Sequence, residues 1–242
     1  DLHAAQDLHA VPLAGQPNPQ VRLGVVPIAG GEIHWVDTSK YSPDGMLITH
    51  FGWTPDSQTV YFYVQDRTQR WLDFNRVAAH GGAPATLFRD QTQTWVDNPG
   101  DPRFLKNASF LWLSERDGWK HVYHYGQDGQ LVRRVTEGPW EVREVSAVDE
   151  SNGLVYFTGT RDSHIAENLY RVKLDGSELR RLTSGEGSHR PVVSPTGSLF
   201  VDSWSDVRTP TRVRLCRGDG QTVRVVDTNP VPEIQDYELH DV

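Results

Sequence analysis

The 242-residue sequence predicts an all-β fold, a β-propeller fragment of about four and a half four-stranded blades. Three observations carry this. Small turn pairs recur at Gly30-Gly31, Gly81-Gly82, Asp128-Gly129, Asp175-Gly176 and Asp219-Gly220, and their second members are 51, 47, 47 and 44 residues apart. Each interval holds about four short β-rich runs joined by turn residues, which is the content of one blade. No segment sustains the apolar period of a helix, and SHIAENL amounts to one helical turn at most.

Taken in order, residues 1–19 are dotted with proline and read as an arm or loop. Residues 20–37 place VRLGVVPI and EIHWVD on either side of Gly30-Gly31, the last two strands of a half blade. Blades follow at 46–90, 108–138, 141–185 and 189–228. Inside each, a first hairpin turns at Pro-Asp-Ser, Arg-Asp-Gly, Asn-Gly or Pro-Thr-Gly, and a second at the recurrent pair. Aspartate and glycine suit such turns because glycine has no Cβ to clash at positive φ. The segment PVPEIQDYELHDV, within residues 229–242, trails toward a further strand. Four and a half blades beginning mid-blade imply part of a larger ring. A severed ring exposes strand edges, so a homo-oligomer is expected.

The stretch FLWLSERDGWKHVYHY, residues 110–125, gathers Ser114, Glu115, Arg116, Asp117, His121 and His124, and so resembles catalytic machinery. The repeat makes it two strands and a turn. Its polar residues fall at the hairpin connection, and His121 and His124, three apart, face opposite sides of one strand. They cannot chelate one metal together. Trp53, Trp112, Trp119, Trp140 and Trp204 recur within the units, as packing residues do. Asn107-Ala-Ser109 fits a glycosylation sequon, a weak three-residue signal.

Composition narrows the function. There are 24 basic and 32 acidic residues, a formal charge of −8, which argues against nucleic acid or an anionic membrane surface as partner. No apolar run is long enough to span a bilayer. A single cysteine, Cys216, excludes an internal disulfide and a multi-cysteine metal site, and no cofactor is called for. The chain opens at Asp1 without a signal-peptide pattern and reads as an excised or processed piece.

Longer phrases carry a family likeness. VPLAGQPNPQVRLGVV, FGWTPDSQTVYFYVQDRTQRWLDF, FLWLSERDGWKHVYHY, TEGPWEVREVSAVDESNGLVYFTGT, ENLYRVKLDGS and SHRPVVSPTGSLFVDSWSDVRTPTRVRL, in that order through residues 11–228, resemble the dipeptidyl peptidase IV family of serine exopeptidases. The resemblance implies an eight-bladed propeller capping an α/β-hydrolase domain, with Val242 ending just where the hydrolase part should begin. It implies a parent that removes N-terminal dipeptides with proline or a small residue second, in a periplasmic or secreted setting. The implied partners are the parent's peptide substrate and the C-terminal hydrolase domain of the same parent chain. The nucleophile elbow Gly-x-Ser-x-Gly does not occur in these residues. No triad is identifiable, so no catalytic residue is assigned and the fragment alone is expected to be inactive.

The resemblance also marks the loop from Arg89 to Asn107, where the family reaches toward substrate with an aromatic and an arginine four and five positions after a tryptophan. Those positions hold Pro99 and Gly100. Arg103 and Phe104 are the substitutes in reversed order, so Trp95, Asp97, Arg103 and Phe104 are the substrate-proximal candidates. The competing reading is a surface excursion between blades. His189 and Arg190 open the inner strand of the last blade, facing the channel; the histidine has no carboxylate partner identifiable from sequence. Two alternatives stand beside the peptidase reading. One is a stand-alone propeller that binds protein partners. The other is a glycosidase, which needs two carboxylates about 5–9.5 Å apart at the axis.

Overall fold

The structure is a computed structural model that describes residue 13 and residues 15–233. The chain divides into two units, one ending at Asn98 and the other beginning at Pro99.

In the first unit, β1 (Gly24–Val25) and β2 (His34–Trp35) form a two-stranded ladder around Gly30-Gly31. A four-stranded antiparallel sheet follows: β3 (Met46–Trp53), β4 (Thr59–Asp66), β5 (Trp71–Ala78) and β6 (Ala85–Gln91), in chain order. TVYFYVQD in β4 is an almost unbroken apolar run because both of its faces are buried. Val60, Phe62 and Val64 join Val36, Tyr41, Met46 and Val77 in one core cluster, against which Leu23 and Val25 of the half blade pack. Tyr61 and Tyr63 point to the other face, edge-on to Phe74, with His50 stacked 4.9 Å from Tyr63. The half blade is tied to the sheet by a bridge between Val36 and Gly82.

The second unit contains three more sheets of the same form. The first comprises β7 (Arg103–Phe104), β8 (Phe110–Ser114), β9 (His121–Tyr125) and β10 (Leu131–Arg134). Next come β11 (Val142–Asp149), β12 (Leu154–Gly159), β13 (Asn168–Lys173) and β14 (Arg180–Arg181). The last comprises β15 (Ser188–Val193), β16 (Leu199–Ser205), β17 (Arg212–Arg217) and β18 (Thr222–Asp227). Neighbouring sheets stack face to face. Leu111 and Val122 meet Val142, Val155, Phe157, Tyr170 and Val172 across one interface. Ala147, Tyr156 and Leu169 meet Phe200 and Cys216 across the next.

The recurrent pair does the same work three times in this unit. Asp128, Asp175 and Asp219 each accept a hydrogen bond from the backbone N–H two residues on, at 3.0, 2.8 and 2.9 Å. The glycine between adopts φ of +80°, +83° or +92°, a conformation in which a Cβ would be strained.

No α-helix occurs among the described residues, and none of their helices is long and apolar enough to cross a membrane. Two expectations need correction. The blade placed at 108–138 begins earlier, because Arg103 and Phe104 pair with Leu111 and Phe110. A two-residue strand carries no period, so it reads as loop in the sequence. The tryptophans are not uniformly packing residues: Trp112 and Trp140 are buried, whereas Trp53 and Trp119 are exposed. Most of the arm at 1–19 and of the trailing segment at 229–242 lies outside the described residues. Among the described residues, no strand of one four-stranded sheet pairs with a strand of another.

Candidate functional site

The substrate-side candidates divide between the units. Trp95 and Asp97 close the first, on the connection after β6. Trp95 is 63% exposed, its carbonyl accepting from Thr92 Oγ1 at 2.8 Å, and the next residue, Val96, is buried. Val96 anchors the loop: its N–H donates to the Gln69 carbonyl at 2.6 Å, and its carbonyl accepts from the Gln65 side chain. The indole is thereby presented rather than packed. Arg103 and Phe104 open the second unit on β7, not on a loop. Phe104 turns inward to a tilted contact with Phe110, 5.9 Å between ring centres, and Phe110 stacks on Tyr125. Arg103 lies on the wall of a cavity of about 320 Å³ with Pro102, Leu111, Trp112 and Glu144. Of these four residues Trp95, Asp97 and Arg103 are exposed, whereas Phe104 is half-buried.

The polar stretch 110–125 is scaffold. Arg116 donates to Ser114 Oγ at 2.9 Å and to the Tyr125 hydroxyl at 2.5 Å, and lies over the Tyr123 ring. The Tyr123 hydroxyl donates to Asp117 at 2.6 Å, which raises the phenol's pKa beyond what burial alone does. His121 is fully buried, with Nε2 3.0 Å from the Gly138 carbonyl and Nδ1 3.0 Å from Thr136 Oγ1. A carbonyl only accepts, so Nε2 carries the proton and Nδ1 accepts from the Thr136 hydroxyl. Burial lowers the pKa of His121 and holds it neutral. His124, on the other face, contacts Ser109 Oγ at 2.9 Å. Ser109 is buried and also donates to Asn107 Oδ1 at 2.6 Å, while Asn107 itself is exposed, so the sequon closes a turn through its own side chains.

Two clusters escaped the sequence reading. In the first unit, Asp73 of β5 is buried beneath Arg89 of β6, and accepts from the Tyr41 hydroxyl at 3.0 Å. Tyr41 and Lys40 come from the connection between β2 and β3, and Lys40 Nζ reaches Asn75 Oδ1 at 3.0 Å. Burial pushes the Tyr41 phenol up to about 12 and draws the Lys40 ammonium below its ordinary value. These groups border a cavity of about 320 Å³ shared with Trp71. In the second unit, His189 does have a carboxylate partner. Its Nδ1 lies 3.0 Å from Asp202 Oδ2, to which Arg214 also donates at 2.8 Å. Arg214 in turn donates to the Ser184 carbonyl at 3.0 Å, fixing the connection before β15. Asp202 lies thirteen residues downstream of His189, and only the antiparallel register of β15 and β16 brings them to one face. The signal available in the sequence was that register, inferred from the hairpin at Pro-Thr-Gly.

These are joints of a scaffold, and the described residues contain no group of three His, Cys, Asp or Glu able to hold a metal. The N-terminal region of dipeptidyl peptidase IV (DPP IV), as a family model, matches residues 6–211. A probable dipeptidyl-aminopeptidase B from Talaromyces marneffei is 30% identical over 219 residues, 82% of this chain and 24% of that protein. Dipeptidyl peptidase 4 from Arthroderma otae is 22% identical over 240 residues, 94% of this chain and 31% of the relative. The crystal structure of Porphyromonas gingivalis dipeptidyl peptidase 4 superposes with a TM-score of 0.82 at 24% identity, covering 93% of this chain and 32% of that one. That likeness shows the fold, with the four-stranded sheets as blades of an open propeller segment. The chain thus spans about a quarter to a third of the length of these relatives. With a match across most of its length, this chain belongs to the dipeptidyl peptidase IV N-terminal region family.

Proposed function

We propose that this chain is the non-catalytic propeller portion of a serine exopeptidase that removes N-terminal dipeptides, gating and orienting peptide for an α/β-hydrolase domain of the same parent chain. The match of residues 6–211 to the dipeptidyl peptidase IV N-terminal region is the observation that carries this reading. The absence of a Gly-x-Ser-x-Gly elbow from the sequence accords with it. The parent's acyl transfer would run through a Ser-His-Asp triad outside these residues. The propeller's share is positional: holding the peptide's N-terminus in register lowers the entropic part of the barrier without touching the reacting atoms. Trp95, Asp97, Arg103 and Phe104 are the residues proposed to lie near substrate in the parent.

The test compares this chain with its longer parent on a glycyl-prolyl anilide. Dye release by the parent and none by the chain is the expected result. Release by the purified chain, or an inert parent, overturns the reading. In the parent, Arg103→Ala should raise KM about tenfold with a smaller change in kcat, the mark of lost positioning. Unchanged kcat/KM removes Arg103 from the site.

A further inference from the structure

Asp73 occupies only one side of the Arg89 guanidinium. It accepts from Nε at 2.7 Å and from Nη2 at 2.9 Å, the side-on fork of the group. A guanidinium carries five N–H donors in a rigid plane, so Asp73 leaves the end-on fork of Nη1 and the outer N–H of Nη2 unspent. The Arg89 side chain is 47% exposed, which keeps that fork within reach of a ligand. The group is also held in place, by Asp73 along one edge and by the Trp71 ring, whose centre lies 4.0 Å from the guanidinium carbon.

The cavity of about 320 Å³ beside Arg89 holds a second cation. Lys40, Ser42 and Thr86 line it too, and Asp73 is the one carboxylate among the described residues that do. Lys40 Nζ donates to Asn75 Oδ1 at 3.0 Å and to Thr86 Oγ1, so a third N–H remains. Lys40 and Ser42 are both exposed, and Ser42 brings a hydroxyl to the same wall. Asp73 is already satisfied by Arg89 and the Tyr41 hydroxyl, and Lys40 bonds its neighbours instead. Asp66, the other acid acting on Arg89, accepts from the backbone N–H groups of Arg70 and Trp71 and from Thr68. Burial lowers the Lys40 pKa, Asp73 raises it in part, and Arg89 lowers it again. The lining thus carries two cations against one carboxylate that is already paired, with donors to spare on both cations.

We propose that this cavity binds a phosphate group, free or as a small monoester. Two of its oxygens accept from the end-on fork of Arg89, and a third from Lys40 Nζ and the Ser42 hydroxyl. Three donor groups, two of them cationic, suit a tetrahedral oxyanion better than a carboxylate, which offers only two oxygens. Lys40 and Ser42 belong to the connection between β2 and β3, and Arg89 to the outermost strand of the sheet. The anion would therefore pin the exit of the half blade to that strand and stabilise the first unit.

The test is calorimetric titration of the chain with inorganic phosphate at neutral pH and fixed ionic strength, with acetate and glycerol phosphate as parallel probes. Phosphate is expected to bind with a Kd of about 1 mM or below, at least about tenfold more tightly than acetate. Glycerol phosphate binding within about threefold of phosphate supports the monoester, and its failure to bind overturns that part. Lys40→Gln, at an exposed position, should weaken phosphate at least about fivefold while near-ultraviolet circular dichroism stays unchanged. Ser42→Ala should weaken it by a smaller factor. The place of binding is read separately. The chain has four lysines, and phosphate should slow acetylation of Lys40 by acetic anhydride, followed by peptide mass spectrometry, without slowing that of Lys106, Lys120 or Lys173. No saturable binding, acetate matching phosphate, an unaffected Lys40→Gln, or protection spread evenly over the lysines overturns the proposal.

Discussion

Arg89 meets Asp73 through two parallel hydrogen bonds, Nε to Oδ1 at 2.7 Å and Nη2 to Oδ2 at 2.9 Å, while its guanidinium lies 4.0 Å from the centre of the Trp71 ring. The carboxylate is buried and the arginine is half exposed, so the arginine acts as a lid on a charge that cannot reach water. Its pKa is raised first of all by the hydrogen bond to Asp73.

Removing the lid should therefore cost more than a surface ion pair would. Arg89→Ala leaves Asp73 with the Tyr41 hydroxyl as its remaining side-chain donor and is expected to destabilise the first unit by about 2 kcal/mol. Arg89→Lys keeps the charge but not the fork, and should lose about half of that. Thermal unfolding followed by tryptophan fluorescence reads both. An Arg89→Ala protein that melts with the wild type would mean the carboxylate is satisfied some other way.

Asp202 holds two cationic or potentially cationic neighbours at once, His189 and Arg214, and is itself 1% exposed. Asp202→Ala strands both, and the expected loss is about 3 kcal/mol. Arg214→Gln should cost less, because Asp202 keeps its contact with His189. If the two substitutions shift the melting temperature equally, the joint is not organised around Asp202.

The buried neutral histidine makes stability depend on pH in a stated direction. Burial holds the His121 pKa below its ordinary value of 6.5, and burial lowers His124 likewise. Below pH of about 6.5 the unfolded chain takes up protons that the folded chain refuses, so folded stability is present above that pH and declines as pH falls through it. Urea midpoints at pH 7.5 and 5.5 should show the decline, and His121→Gln should flatten it. A midpoint that rises on acidification contradicts this assignment.

Gly197 and Gly153 occupy equivalent hairpin turns with similar φ, +69° and +64°. They differ in what surrounds them. A Cβ at Gly197 would lie 2.2 Å from the Tyr156 ring on the neighbouring sheet, whereas one at Gly153 meets nothing within 4 Å. Gly153→Ala should cost about 1 kcal/mol, the left-handed backbone penalty alone. Gly197→Ala should cost about 1–3 kcal/mol more, because a packed ring must move. Equal losses in denaturant titrations would show that Tyr156 yields freely.

The blades were legible because each is local. A hairpin needs a turn that tolerates positive φ and two alternating runs, and Asp-Gly at 128–129, 175–176 and 219–220 announces both within about ten residues. The long apolar runs of β4 and β12 likewise announce strands buried on two faces. Strand β7 was not legible, since two residues have no period and pairing with β8 alone makes them a strand. The same limit applied to function. The sequence showed Trp95 and Arg103 as residue types but not that Val96 is anchored so that Trp95 is presented, nor that Phe104 turns inward while Arg103 borders a cavity. It placed His189 on an inner strand without its carboxylate, because Asp202 reaches it only through the register of two paired strands. Period and turn chemistry are written in neighbouring residues, so sequence alone determined the all-β class and the order of the blades. Which charges are buried or paired depends on residues brought together by stacking and register, and tertiary structure alone decided that.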